Sequence, residues 1–147
     1  MVTMYELEHI SKALAASWSY DTAYPDDTWS AQSPARSQCV GTALVVQHFL
    51  GGELEKLTTI YNNQPELHYR NILPDGQIID LTCAQYPPNQ QLSQSTVNLH
   101  GFSSAREKML SEPDTRIRYE LLLRKVVAYL EGHRTESISH MIKKSPN

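Results

Sequence analysis

The stretch HYRNILPDGQIIDLT, residues 68–82, decides how this chain is read. Pro74-Asp75-Gly76 suits a three-residue hairpin loop, a type I turn closed by a glycine in the left-handed region as a G1 bulge. Such a loop sets the register: Leu73 opposes Gln77, Arg70 opposes Asp80, and His68 opposes Thr82. His68 and Asp80 then share one face as diagonal neighbours, about 7 to 8 Å apart at the backbone and within reach of an imidazole–carboxylate bond. A two-residue turn would put them on opposite faces. Asp80 stands among Ile78, Ile79 and Leu81, so it needs a partner. His68 is one candidate; a plain cross-strand ion pair with Arg70 is the other, and both can hold at once.

Working outward, ELEKLTTIYN, ELHYRNIL and GQIIDLT are short, rich in Leu, Ile, Thr and Tyr, and separated by Asn62-Asn63-Gln64-Pro65 and by the PDG loop. They predict three antiparallel strands. Upstream, QCVGTALVVQHFLGG is apolar on nearly every face, lacks proline and stops at Gly51-Gly52, which predicts a buried helix about 18 Å long. The chain opens with an amphipathic helix: Thr3 and Glu6 have capping-box spacing, and Leu7, Ile10, Leu14 and Trp18 follow at helical intervals. Residues 20–37 read as a long ordered loop, and 84–104, rich in Pro, Gln, Asn and Ser, as irregular backbone able to cover a site. A short helix at Ala105–Leu110 and a longer one from about Asp114 to Glu131, with Tyr119, Leu122, Val126 and Tyr129 on one stripe, complete an α+β domain over 1–134. Residues 135–147 read as a flexible tail.

With 147 residues, 40% hydrophobic and 20% charged, one domain with one core is expected. The net charge of -3 and the absence of a basic cluster before Lys143-Lys144 argue against nucleic acid as a partner. The first twenty residues carry Glu6, Glu8 and Lys12 and no continuous apolar run, so neither a signal peptide nor a membrane span is expected, and the location is expected to be cytoplasmic. Two cysteines, Cys39 and Cys83, then read as free thiols.

Cys39 begins the buried helix, where unpaired N–H groups and the macrodipole favour a thiolate, and an adjacent imidazolium would favour it further. A scheme follows in which Cys39 attacks an amide or ester carbon, His68 moves the proton and Asp80 orients the imidazole. The Cys39 N–H would supply one oxyanion donor, with Gln38 or Gln32 as a side-chain candidate for the second. Trp29, Tyr24 and Tyr86 are candidates to line a substrate cleft, although aromatics in long loops also pin the loop to the core. His48 lies about half a turn from Cys39 and should face away, and Cys83 differs in parity from Asp80 and reads as a small apolar filler. His100 sits in a loop able to approach the site. The scheme needs no cofactor. A zinc site of Cys39, His68, Asp80 and Cys83 uses acceptable ligand types, but its spacings match no closed motif, and no metal is expected. Without the hairpin, Cys39 and His68 would read as core packing and a hydrogen-bonded core histidine.

SQCVGTALVVQHFLGGEL (37–54) and HYRNILPDGQIIDLTCAQY (68–86) resemble the YunG-like family of uncharacterised bacterial proteins across most of the chain. More distantly, the order Cys at a helix start, His on a strand, then Asp on the next strand within DLT, followed by Gln85-Tyr86, is similar to the papain-like and transglutaminase-like superfamily. That resemblance implies a papain-like core with Cys39 as nucleophile, His68 as base and Asp80 as orienting acid, acting as a thiol hydrolase or acyltransferase on a small-molecule or peptide amide or ester. The alternative it leaves open is a papain-like binding or regulatory module without turnover. The chain departs from papain-type peptidases in two places: Ser33 stands where their oxyanion glutamine precedes the cysteine by six, and Cys39-Val40 replaces Cys-Trp. The 29 positions from Cys39 to His68 are closer to the spacing of transglutaminase-like or papain-fold toxin domains than to that of large proteases.

Overall fold

Two hairpins in succession build the sheet of the computed structural model, which describes residues 4–134 apart from the Tyr5 side chain. Strands β1 (Glu53–Tyr61) and β2 (Gln64–Ile72) pair antiparallel along their whole length, from Glu53 opposite Ile72 to Tyr61 opposite Gln64. Asn62 and Asn63 both take positive φ, 50° and 62°, the signature of a two-residue type I′ turn that suits the twist of the strands it joins. Gln64 and Pro65, expected in the connection, are therefore strand residues. Proline is tolerated there because β3 (Ile78–Ile79) pairs only with Asn71 and Ile72, so Pro65 breaks no ladder on that side.

The PDG loop closes the second hairpin in the register its sequence requires. Gly76 has φ +91° and donates to Leu73 O at 2.8 Å, Leu73 donates to Gln77 O at 2.8 Å, and Asn71 lies opposite Ile79. The expected third strand is shorter than GQIIDLT, however, and stops after Ile79. Asp80 ends it: its Oδ1 accepts from Thr82 N at 3.2 Å, a local side-chain turn that competes with the ladder and leads into a short 3-10 turn, Cys83–Gln85. A fourth strand, β4 (Ser93–Gln94), pairs with Leu57 and Thr58 on the far edge of β1, giving the order β3-β2-β1-β4. The sequence signals no strand there, and two residues are too few for a pattern.

Helix α1 (Met4–Ser17), α2 (Cys39–Leu50), α3 (Ala105–Leu110) and α4 (Pro113–Gly132) make up the helical part of an α+β fold. α2 packs between β2 and α4, and α1 packs on α4. The core is Leu14 of α1, Leu44, Val45 and Val46 of α2, Leu122 and Val126 of α4, and Leu73 and Ile79 at the second hairpin. Polar ties fix α2 in this frame. Asn71 Nδ2 donates to Ala43 O at 2.9 Å, Trp18 Nε1 to Thr42 Oγ1 at 2.9 Å, and Arg106 reaches Leu44 O, Gln47 Oε1 and the Tyr119 hydroxyl. Thr3, half of the expected capping box, and the expected tail at 135–147 lie outside the described residues. No helix among the described residues is long and apolar enough to cross a membrane.

The exit of α2 needs glycine at both of its glycines, and at the second for an added reason. Gly51 and Gly52 have φ of +75° and +84°, but a Cβ at Gly51 would meet only Pro74 Cγ at 3.6 Å. At Gly52 it would clash with the Ile72 carbonyl oxygen and lie 2.9 Å from Leu73 Cα. Gly51, at φ 75° and ψ -159°, holds a conformation open essentially to glycine alone, so Gly51→Ala should cost about 2 kcal/mol from backbone conformation, and Gly52→Ala about 3 kcal/mol or more, because backbone must shift as well. Urea denaturation of the two variants checks the order; equal costs would show that the close approach of β2 is not what holds Gly52.

Candidate functional site

Asp80 answers for its place among isoleucines with its two oxygens. Oδ1 holds the Thr82 N–H, and Oδ2 lies 2.7 Å from His68 Nε2. The turn fixes the first bond and the hairpin register brings the second within reach, so local sequence alone assembles this pair. Arg70, opposite Asp80 in register, takes no part: its guanidinium goes to Glu55, its direct neighbour on β1, at 2.7 and 3.1 Å.

His68 is completely buried. Burial by itself disfavours a charged ring, but the hydrogen bonds to Asp80 and Cys39 and the negative charge of both groups outweigh it, raising the imidazolium pKa from 6.5 to about 9. Since Asp80 occupies Nε2, Nδ1 is the nitrogen left for Cys39. The Cys39 side chain is half-buried at the first residue of α2 and lines a cavity of about 280 Å³. Tyr69 is on the same wall, and burial and then the nearby Cys39 charge hold its phenol above the ordinary range.

A third side chain reaches the imidazole. Gln85 Nε2 lies 3.4 Å from His68 Nδ1 and 3.2 Å from Thr82 Oγ1. Its orientation follows from the other end of the amide, which faces Arg36 Nη1 at 3.4 Å; a guanidinium only donates, so that end is the oxygen and the N–H₂ points at the His68–Cys39 side. Arg36 is itself held. Its guanidinium pairs through both terminal nitrogens with Glu66 and lies 4.7 Å from the Tyr61 ring centroid. The Tyr86 hydroxyl donates to Glu66 at 2.9 Å, and burial together with that bond pushes its phenol well above the ordinary range, so it remains a neutral donor. Arg36, Glu66 and Gln85 come from three separate segments, and only the folded chain brings them together.

The model of the YunG protein family matches residues 6–131. The chain belongs to the YunG family. The match spans α1 to α4 and contains Cys39, His68, Asp80 and Gln85. No curated protein and no solved structure matches the chain.

The remaining candidates of this YunG-family chain fall in different places. Gln38 does not line the cavity: it is 1% exposed and turned the other way, its Oε1 accepting from Thr22 and its Nε2 donating to Ser19 O, which ties α2 to the loop before it. Gln32 is exposed and lines none of the described cavities, and Trp29 pins its own loop by donating to Pro34 O at 2.9 Å. Tyr86 and Tyr24 both line the cavity. Cys83 is not a core filler but exposed, because the strand ends before it and the 3-10 turn carries it outward. His48 is exposed on the far side of α2. His100 lines an adjoining cavity of about 600 Å³ that shares Val40, Tyr69 and Thr115 with the first. Among the described residues, no three His, Cys, Asp or Glu side chains are grouped as a metal site would need.

Proposed function

We propose that this YunG-family protein is a papain-like thiol hydrolase or acyltransferase that acts on an amide or ester through Cys39, His68 and Asp80. The observation that carries the reading is His68, fully buried and bonded to Asp80 at 2.7 Å through Nε2, close enough to Cys39 for the sulfur to raise its pKa, with that sulfur at the wall of a cavity. The raised imidazolium pKa keeps His68 a cation at neutral pH beside the Cys39 sulfur, where it can stabilise negative charge on the nucleophile.

In this reading the Cys39 sulfur attacks the carbonyl carbon, and the carbonyl oxygen takes the electron pair as an oxyanion. The Cys39 N–H, at the first helical position and ahead of the helix's own ladder, is one donor to it; Gln85 Nε2 is the second, in place of Gln38 and Gln32. Collapse expels the amine or alcohol, which leaves with the proton from His68, and a thioester remains on Cys39. Water or an amine then attacks the thioester, gives its proton to His68 and releases the product, returning the ion pair. Asp80 holds the ring through Nε2 throughout, so that Nδ1 faces the sulfur.

The test requires no substrate. Iodoacetamide labelling of Cys39 and of exposed Cys83 is followed by mass spectrometry from about pH 5 to 9, in the wild type and in His68→Ala. At pH 6, Cys39 should label about tenfold faster than Cys83, and His68→Ala should remove that advantage, because the thiolate loses its counter-ion. A Cys39 that reacts no faster than Cys83 in either protein would favour a papain-like binding or regulatory module without turnover.

A further inference from the structure

Cys39 looks into a cavity with a definite charge pattern. Four charged residues line it: Asp26, Arg36, Glu66 and Arg118. Arg36 and Glu66 neutralise each other, and the Asp26 carboxylate is taken up by Thr28 and Ser37 hydroxyls at 2.6 and 3.1 Å. Arg118 is different. It has no acidic partner among the described residues; one terminal nitrogen donates to Thr115 Oγ1 at 3.4 Å, and its guanidinium carbon lies 5.4 Å from the Tyr24 ring centroid. Most of its donor capacity is unspent, in a fork that the aromatic ring supports from one side. The adjoining cavity has Lys56, without an acidic partner among the described residues, Lys108, which donates to Asn98 O, and Glu112, which accepts from Asp114 N at the start of α4.

We infer that the cleft takes an amide or ester substrate bearing a carboxylate, which Arg118 holds bidentately while the scissile carbonyl lies over Cys39. The inference rests on Cys39 being the nucleophile. About 280 Å³ suits a group of amino-acid size, and the Tyr24, Tyr69 and Tyr86 rings give its carbon skeleton an apolar wall. A carboxylate matches the arginine fork in shape as well as in charge. The chain as a whole carries -3, so its distant field repels anions; attraction has to come from contact within the cleft.

N-iodoacetyl derivatives of glycine, β-alanine and 6-aminohexanoate, each paired with its primary amide, test this. All alkylate a thiolate by the same displacement of iodide and differ within a pair only in the terminal charge. Labelling of Cys83 in the same molecules gives the intrinsic acid-to-amide ratio of each pair. At one chain length or more, the acid should label Cys39 about fivefold faster than its amide after that correction, Arg118→Met should return the ratio to one, and Arg118→Lys should keep part of it. A corrected ratio of one at every length, or a preference that survives Arg118→Met, would overturn the carboxylate site while leaving the nucleophile standing. A Cys39 that no probe labels faster than Cys83 removes the nucleophile and the carboxylate site with it.

Discussion

Arg36→Met should lower the free energy of unfolding by about 3 kcal/mol. Arg36 is 8% exposed and carries most of the polar bonding between the loop before α2 and the edge of β2: both terminal nitrogens on Glu66, Nε on Thr28 Oγ1 at 3.3 Å, Nη1 also on Gln85. Methionine retains much of the aliphatic volume against Tyr61 and Tyr86, so the loss reports charge and hydrogen bonds rather than a cavity. Breaking a buried pair typically costs about 3 to 5 kcal/mol because the surviving charge is left unpaired. Glu66 keeps the Tyr86 hydroxyl, and its side chain is 22% exposed, which places the cost at the lower end. The source of the loss is separable. Glu66→Gln added to Arg36→Met should recover about 1 kcal/mol, since the stranded carboxylate disappears while the Tyr86 bond survives. Urea denaturation of the single and double variants at pH 7 measures both. An Arg36→Met protein within about 0.5 kcal/mol of wild type would mean that the pair behaves as a surface ion pair despite its burial.

The meeting of His68 and Asp80 was legible in the sequence because it depends on short-range rules: the glycine of PDG fixes the loop, the loop fixes the register, and a period of two fixes the face. The buried α2 and its glycine exit were legible for the same reason. Nearness along the chain is a poor guide to nearness in space. Gln38 and Gln32 lie near Cys39 along the chain, yet Gln38 is drawn back toward Ser19 by the loop at 20–37. Gln85 carries no local signal, because its position follows from Asp80 ending β3 early and turning the chain into the 3-10 segment. Arg36 and Glu66 are 30 residues apart, and neither belongs to a pattern that names the other. The Arg70–Asp80 pairing follows from the correct register but considers only one side of the strand: Arg70 has two cross-strand neighbours, and Glu55 on β1 is the one it takes.

Folding stability should be level between about pH 6.5 and 8.5 and fall above that. In the proposed ion pair the folded chain holds one proton on His68 and none on Cys39, and His68 keeps it up to about pH 9. The unfolded chain also holds one in this window, on the thiol, because a free imidazole releases its proton near about 6.5 and a free thiol near about 8.5. Equal proton counts give no slope; above about 8.5 the unfolded chain has lost both while the folded state still holds one, so stability falls as pH passes through about 9. Cys39→Ser removes the thiol from this balance. Asp80 still holds the His68 proton through Nε2, so the variant binds one proton more than its unfolded chain above about 6.5, and its stability should fall across the window in which the wild type is level. Adding Asp80→Asn to Cys39→Ser withdraws that carboxylate and should flatten the fall. Urea denaturation at pH 6.5, 7.5 and 8.5 across these variants gives the slopes directly. Level stability in both the wild type and Cys39→Ser would mean that burial wins and the ring is neutral. A wild type whose stability already falls across this window, with a slope that Cys39→Ser leaves unchanged, would mean that the sulfur holds its own proton beside a charged His68, and the ion pair on which the thiol chemistry depends would be absent.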